Sequence, residues 1–456
     1  MKTKITFLLM ILFSTTFAFA GDYLTNTNQH AAFLRNFARG NSLEIDAAYY
    51  NPAGVAFMDD GYYISINNQS AFQTRSINTT YDWDMNGQPY AKKFKGTASA
   101  PIIPSVYFIY KNGRLALSAL MAVTGGGGTA SFADGLPMLN ASIITKLKYP
   151  SVSTIPSIAP NMYNIATSVD GSQFILGTQV GLSYQVNDWL SVYLGGRMNN
   201  FFGSYEGYVD VTPRAEYSQY LGTDDLTNLE LDLTQYGWGL TGILAADIDY
   251  ERWNFMLKYE FKASLNIENK TKKNNTQIPS FDDGVNTPSD IPGFFATALG
   301  YDILPTLRAS VEFHYYDDKN AGMASVIDES LSTSTNIIYG DKQDYLTHGT
   351  REYLFGAEWD ITKRLTISGS YQYTDYGLSD NFQQQTSFSC DSYAVGFGAR
   401  VKVSEKLNMN VGYMISQYSD YTKEQAHYAS PAIPFAGTDV FSRTNKVFGF
   451  GIDYKF

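Results

Sequence analysis

Apolar and polar side chains alternate with a period of two along most of this chain, most plainly at its end. Phe448, Phe450, Ile452, Tyr454 and Phe456 share one parity, and Gly449, Gly451, Asp453 and Lys455 the other. Successive strand residues point to opposite faces, so this is a strand with one apolar face. The same division separates Leu365, Ile367, Tyr371 and Tyr373 from Thr366, Ser368, Ser370 and Gln372, and Met409, Val411 and Tyr413 from Asn408, Asn410 and Gly412. Charges keep to the polar parity: Arg308, Glu312 and His314 oppose Leu307, Val311 and Phe313; Lys258, Glu260 and Lys262 oppose Leu257, Tyr259 and Phe261; Arg400 and Lys402 oppose Val401 and Val403. In a membrane barrel that parity faces the lumen, because Arg or Lys on the lipid face at the midplane costs about 2–4 kcal/mol. A lumen network of ion pairs is the ordinary reading of these groups, with direct contact to a solute as the alternative.

The strands come in a rhythm. Tight turns are expected at Asn112-Gly113, Asn187-Asp188, Tyr250-Glu251, Leu304-Pro305, Thr362-Lys363 and Ser404-Glu405, most with turn-forming residues at or beside them. Between them lie seven longer polar connections, approximately 78–96, 125–171, 204–232, 269–289, 319–348, 377–387 and 421–443. Six short and seven long connections join fourteen strands, which predicts an all-β membrane protein. The expected fold is an antiparallel transmembrane β-barrel with short turns at one end and long loops at the other.

The chain starts with Lys2 and Lys4, an apolar run from Ile5 to Phe13, and the small-residue pattern Ala18-Phe19-Ala20, which reads as an export signal over residues 1–20. No later stretch approaches the roughly 20 apolar residues of a spanning helix. Residues 21–58 do not follow the strand rhythm. Since barrels of about 16–18 strands already enclose an aqueous channel, a fourteen-strand lumen needs filling, and 21–58 is expected to form an N-terminal plug, with the barrel at 59–456. The formal charge of −11 becomes more negative once Lys2 and Lys4 are removed, which disfavours nucleic acid as a partner. The single Cys390 can form no intrachain disulfide.

Asp46, followed by Asn51-Pro52-Ala53 just ahead of the first strand, resembles the hatch motif of the FadL-type outer-membrane transporters of long-chain fatty acids and other hydrophobic compounds, and the terminal Phe456 resembles the signal by which outer-membrane barrels are recognised for assembly. The resemblance implies a fourteen-strand barrel with a hatch in its lumen, located in the outer membrane of a Gram-negative bacterium. It also implies passive capture of a hydrophobic solute by external loops, passage to a lumen pocket, and exit through an opening in the wall at a distorted third strand. Asn51, Pro52 and Ala53 would belong to the hatch beside the ligand path. Tyr23 stands where the family places an apolar aromatic in the pocket.

The third strand, about Arg114 to Thr124, runs into Gly125-Gly126-Gly127-Gly128. Four glycines supply no side chains to seal a wall and tolerate unusual backbone angles, so they are candidates for the lateral opening or for a loop stem. The loop that follows carries Phe132, Leu136, Met138, Leu139, Ile143 and Ile144, too apolar to stand idle on a surface. It is expected either as a landing groove or folded inward as a second lid.

The expected partners are a hydrophobic small molecule, outer-membrane lipid and lipopolysaccharide, and the barrel-assembly machinery, with the protein monomeric and no cofactor or metal. The four histidines, His30, His314, His348 and His427, stand in no catalytic pattern, so no enzyme activity is expected. A general porin and a loop-based adhesin remain the competing readings. A porin would keep its lumen open, whereas an adhesin would be indifferent to lumen substitutions.

Overall fold

The computed structural model describes residues 29–82, 87–148, 162–221, 227–276, 278–326, 339–428 and 435–456, with Thr333 and Asn336 between them. They form a closed antiparallel barrel of fourteen strands. These are β1 (Gly61–Tyr81), β2 (Tyr90–Asn112), β3 (Leu115–Phe132), β4 (Tyr163–Gln185), β5 (Leu190–Pro213), β6 (Thr227–Tyr250), β7 (Trp253–Glu260), β8 (Phe294–Leu304), β9 (Leu307–Tyr316), β10 (Arg351–Asp360), β11 (Leu365–Asp375), β12 (Ser392–Lys402), β13 (Leu407–Tyr418) and β14 (Gly437–Lys455). After a break, β7 resumes at Asn266–Asn274 and β13 at Tyr421–Gln425. Neighbours in sequence are neighbours in the sheet, and β14 closes on β1 in a register from Tyr63 opposite Lys455 to Tyr81 opposite Gly437. Closure leaves no free sheet edge, which is what lets a sheet sit in lipid.

All six tight turns fall between the strands where the sequence placed them. The first three long connections are shorter than their polarity suggested: β1 continues to Tyr81, β3 to Phe132 and β5 to Pro213. Polarity marks where the outer surface stops facing lipid, whereas backbone pairing continues beyond that level because it needs no apolar side chain. The strand pairs β1–β2, β3–β4 and β5–β6, with β14 beside β1, therefore extend further toward the loop end than β8 to β12.

Parity holds around the barrel. Ile367, Tyr371, Phe397, Val411, Phe448 and Phe450 are exposed on the outer face, while Thr366, Ser368, Gln372, Asn410 and Ser416 are buried in the lumen. Lys258, Glu260, Glu312 and His314 are buried inward as expected.

The lumen is filled at the turn end by residues 29–58, which contain α1 (Ala31–Arg35), α2 (Ala47–Tyr50) and a 3-10 turn (Gly54–Phe57). Both helices are too short to be stable alone, and tertiary contacts must hold them. Phe33, Leu34, Phe37, Tyr49, Tyr50 and Val55 pack against inward Tyr107, Ile109, Leu120, Leu354 and Met414. At the loop end, α3 (Pro137–Lys148) turns into the barrel mouth.

Candidate functional site

Three features converge on β3: the N-terminal segment below, the inward-folded α3 above, and an interruption of the wall between them. The N-terminal segment is tied to the wall by charge as well as by packing. Arg39 donates from Nε to Asp46 Oδ2 at 2.6 Å and from Nη2 to Asp46 Oδ1 at 2.8 Å, and Ser42 Oγ donates to the same carboxylate at 2.7 Å. Burial opposes the Asp46 charge, yet Arg39 more than offsets it and holds the carboxyl well below the usual range. Arg35 pairs with Glu358 of β10, and donates to Asn410 of β13 at 3.1 Å and Ser368 of β11 at 2.6 Å. His30 Nδ1 accepts from Ala32 N at 3.1 Å, which leaves the proton on Nε2 to face Asp453 Oδ1 at 3.1 Å. On β9, the neighbour of β10, Glu312 accepts from Gly40 N at 2.8 Å.

Asn51, Pro52 and Ala53 lie within these attachments. Asn51 donates to Asp247 of β6 at 2.9 Å and accepts from Gly54 N at 3.1 Å. Pro52 and Ala53 each present a carbonyl to a wall serine, accepting from Ser183 of β4 at 2.6 Å and Ser191 of β5 at 2.8 Å. The geometry makes the motif an anchor: Asn51 shapes the turn and the next two carbonyls dock it. Tyr23 lies outside the described residues.

Between β2 and β3 the ladder is interrupted. Ser99 pairs with Thr129 and Ser105 with Ala122, and the residues between them have no cross-strand partner. On β3 these are Val123 to Gly128, including all four glycines, which therefore belong to the wall and not to a loop stem. On β2 they are Ala100 to Pro104, and they include Pro101 and Pro104, which have no N–H to offer. Gly126 has φ +111°, and a Cβ there would lie 2.4 Å from Gln173 O, so no other residue fits. Bulges on the other side of β3, at Val123/Gly125 and Gly126/Gly128, distort the strand further. The paired prolines escaped the sequence reading; two prolines spaced by three inside an otherwise regular strand were the available signal.

The candidate loop residues face the lumen. Phe132, Leu136 and Leu139 are buried and Met138 half-buried. They form one cluster with Ile77 of β1, Phe94 of β2, Val209 and Val211 of β5, and Phe441 of β14, so of the two expectations the inward lid is the one observed. At the cluster's edge Arg75 and Arg443 are directly opposite each other across β1 and β14. Arg75 donates to Phe388 O at 2.7 Å and lies 4.5 Å over its ring, and Arg443 lies 4.6 Å over Tyr418.

Beside the interruption is a small cavity of about 30 Å³ lined by Tyr49, Thr124, Arg197, Glu260, Ile291 and Phe294, among others. Arg197 pairs with Glu260, but its Nε and the Thr124 Oγ1 are buried without a hydrogen-bond partner. A second cavity, of about 340 Å³, lies at the turn end between Leu43, Ile45, Phe57 and Met58 of the N-terminal segment and Tyr63, Asn408 and Tyr454 of the wall. Among the described residues no His, Cys, Asp and Glu cluster could hold a metal ion.

The architecture is shared with solved barrels. A Pseudomonas aeruginosa FadL homologue is similar over 95% of this chain and 99% of its own, with a TM-score of 0.64 at 14% identity. The Pseudomonas putida toluene transporter TodX matches 91% of this chain and 94% of its own (TM-score 0.54, 13% identity), and the Ralstonia pickettii toluene transporter TbuX does so over the same shares (TM-score 0.53, 13% identity). No protein-family model matches the chain, and no curated protein does at sequence level. At these identities the likeness is one of fold.

Proposed function

We propose that this barrel carries hydrophobic or amphipathic small molecules passively across the outer membrane of a Gram-negative bacterium, with residues 29–58 acting as a hatch. The observation that carries the reading is the stretch of β2 and β3 left unpaired with each other, where two prolines face four glycines. Such a stretch parts without unzipping a ladder, so a solute can leave the lumen sideways into lipid. The buried cluster around Leu136, Leu139 and Phe132 offers the apolar surface that receives the solute above it. A lumen filled by the hatch disfavours a diffusion porin.

An oxygen-bearing head on the cargo is supported at the interruption, where Arg197 Nε and Thr124 Oγ1 present hydrogen-bonding capacity. Fatty acids fit this description; so do oxygenated aromatic compounds, whereas a plain hydrocarbon would use only the apolar surfaces. The outer-membrane neighbours envisaged are lipid and lipopolysaccharide, with the assembly machinery acting during biogenesis and the barrel working as a monomer.

The test is uptake of radiolabelled oleate and toluene by cells producing the wild type or the Pro101→Ala/Pro104→Ala variant. Uptake of either probe that the double variant reduces supports the reading. Normal uptake by a variant whose seam has become protected from hydrogen exchange would overturn it.

A further inference from the structure

Resting on the transport reading, we propose a second lateral portal, between β6 and β7, for the passage of uncharged apolar molecules between lumen and lipid. Here too the ladder is interrupted, and the reason is a change of partner. β7 pairs with β6 from Trp253 opposite Tyr250 to Glu260 opposite Ile243. Pairing resumes only where Glu268 lies opposite Tyr236. Between β6 and the stretch from Phe261 to Leu265 the backbone bond is Phe261 N to Gly242 O at 2.9 Å. The intervening part of β7 bonds to its other side instead: Ala263 N donates to Ile291 O at 3.0 Å, Ile291 N to Ala263 O at 2.9 Å, and Ser289 N to Leu265 O at 2.8 Å. Separating β6 from the stretch Phe261 to Leu265 therefore breaks one backbone hydrogen bond, and the moving segment keeps its own partners.

The segment is pressed against the inner face of β6 and is not zipped to its edge. A Cβ at Gly237 would lie 2.5 Å from Asn266 O, and one at Gly239 2.7 Å from Ser264 O. Glycine is what allows one backbone to ride over the other.

Both faces of the wall connect this seam to the one between β2 and β3. On the inside a single row of cross-strand partners runs Gly125, Ile175, Phe201, Gly237. Ile175 and Phe201 belong to a buried apolar cluster completed by Ala263, Leu265, Ile267 and Ile291. On the outside the adjacent row runs Gly126, Phe174, Phe202, Tyr236, with ring centroids 5.1 and 5.6 Å apart along the three aromatics. Trp238, Leu240 and Phe261, all exposed, flank the mouth. At its Gly237 end the second seam borders the buried apolar cluster, which suits neutral molecules without a head group to strip of water, whereas at its Gly242 end Thr241 lies opposite Arg197 and accepts from Asn199.

The experiment uses the full-length barrel in lipid vesicles, in a Cys390→Ala background, with a lipid-soluble aryl diazirine as the uncharged apolar probe. Photolysis followed by peptide mapping is expected to label the peptide carrying Leu265 and Ile267, which are buried inward in the closed wall. A Gly239→Cys/Ala263→Cys disulfide should abolish that labelling and reduction should restore it; the ideal Cβ at 239 is 3.5 Å from Ala263 Cβ, within the range of a disulfide. If that pair does not fold, Leu240→Cys/Phe261→Cys bridged by a short bis-maleimide closes the mouth from outside without crowding the inner face. Absence of labelling at Leu265 and Ile267, or labelling that survives either lock and is lost only in the Pro101→Ala/Pro104→Ala variant, overturns the second portal. Oleate and toluene uptake measured in parallel separates the two readings: lock-sensitive labelling without uptake would retain the portal and sink the transport proposal, and uptake without labelling the reverse.

Discussion

Removing the Asp46 carboxylate should release the N-terminal segment while leaving the barrel standing. Asp46 is fully buried and takes two hydrogen bonds from Arg39 and one from Ser42. In Asp46→Ala the Arg39 guanidinium, itself 2% exposed, keeps Glu44 at 2.9 Å and Glu358 at 3.2 Å, but it competes for them with Arg35, and Arg400 also pairs with Glu44. Breaking one side of a buried pair costs about 3–5 kcal/mol, mostly the penalty of the stranded charge. Asp46→Asn keeps the shape and part of the hydrogen bonding, so about 1–3 kcal/mol is expected. Replacing both partners, Arg39→Met with Asp46→Leu, removes the stranded charge and should recover much of the loss. Hydrogen-exchange mass spectrometry of peptides from 29–58, against peptides from the wall, reads these as local opening. With about 1.4 kcal/mol per factor of ten, Asp46→Ala should speed exchange there by roughly two orders of magnitude or more, with strand peptides unchanged. If the double variant is as open as the sum of the two single changes, the ion pair is not the anchor and the argument fails.

Three further outcomes are expected. Pro101→Ala/Pro104→Ala supplies two N–H groups to the β2–β3 seam, each new bond adding about 0.5–1.5 kcal/mol, so exchange protection at 100–104 should rise; no rise would mean that glycine distortion alone holds the seam open. Leu139→Ala, at a site 2% exposed in the lid cluster, should cost about 2–5 kcal/mol locally and expose the loop before Tyr163 to protease, leaving heat-modifiable gel mobility intact. Burial raises the Asp318 carboxyl in the β9–β10 loop to about 7 from 3.8, where it accepts from Thr350 N at 2.9 Å. A raised acid holds its proton when folded but not when unfolded, so its contribution is complete below about 4 and lost as pH rises to about 7. Loop protection should fall across that window, and Asp318→Asn should flatten the dependence.

Much of this was legible along the chain because a barrel wall is nearly a one-dimensional object. Parity sorted Lys258, Glu260, Glu312 and His314 to the lumen and Phe448 and Phe450 to lipid, since a strand has only two faces and lipid forbids the wrong one. Tight turns were readable for the same reason: a short connection between antiparallel neighbours leaves few residues to carry the reversal. The extents of β1, β3 and β5 were misjudged because their upper halves are paired in a polar setting.

What sequence periodicity could not hold is pairing across distance. Four glycines in β3 announce a weak wall, but only the fold sets them opposite Pro101 and Pro104, and only register puts Gly125 and Gly237 on one row with Ile175 and Phe201 between. The greasy stretch Leu136–Ile144 was equally consistent with a surface groove, and the barrel's wide mouth decided that it turns inward. Asn51-Pro52-Ala53 became an anchor through Ser183, Ser191 and Asp247, residues more than a hundred positions away with no pattern in common. Local chemistry sets which face a side chain takes; which side chain it meets there depends on closing the sheet, and that is settled by all fourteen strands at once.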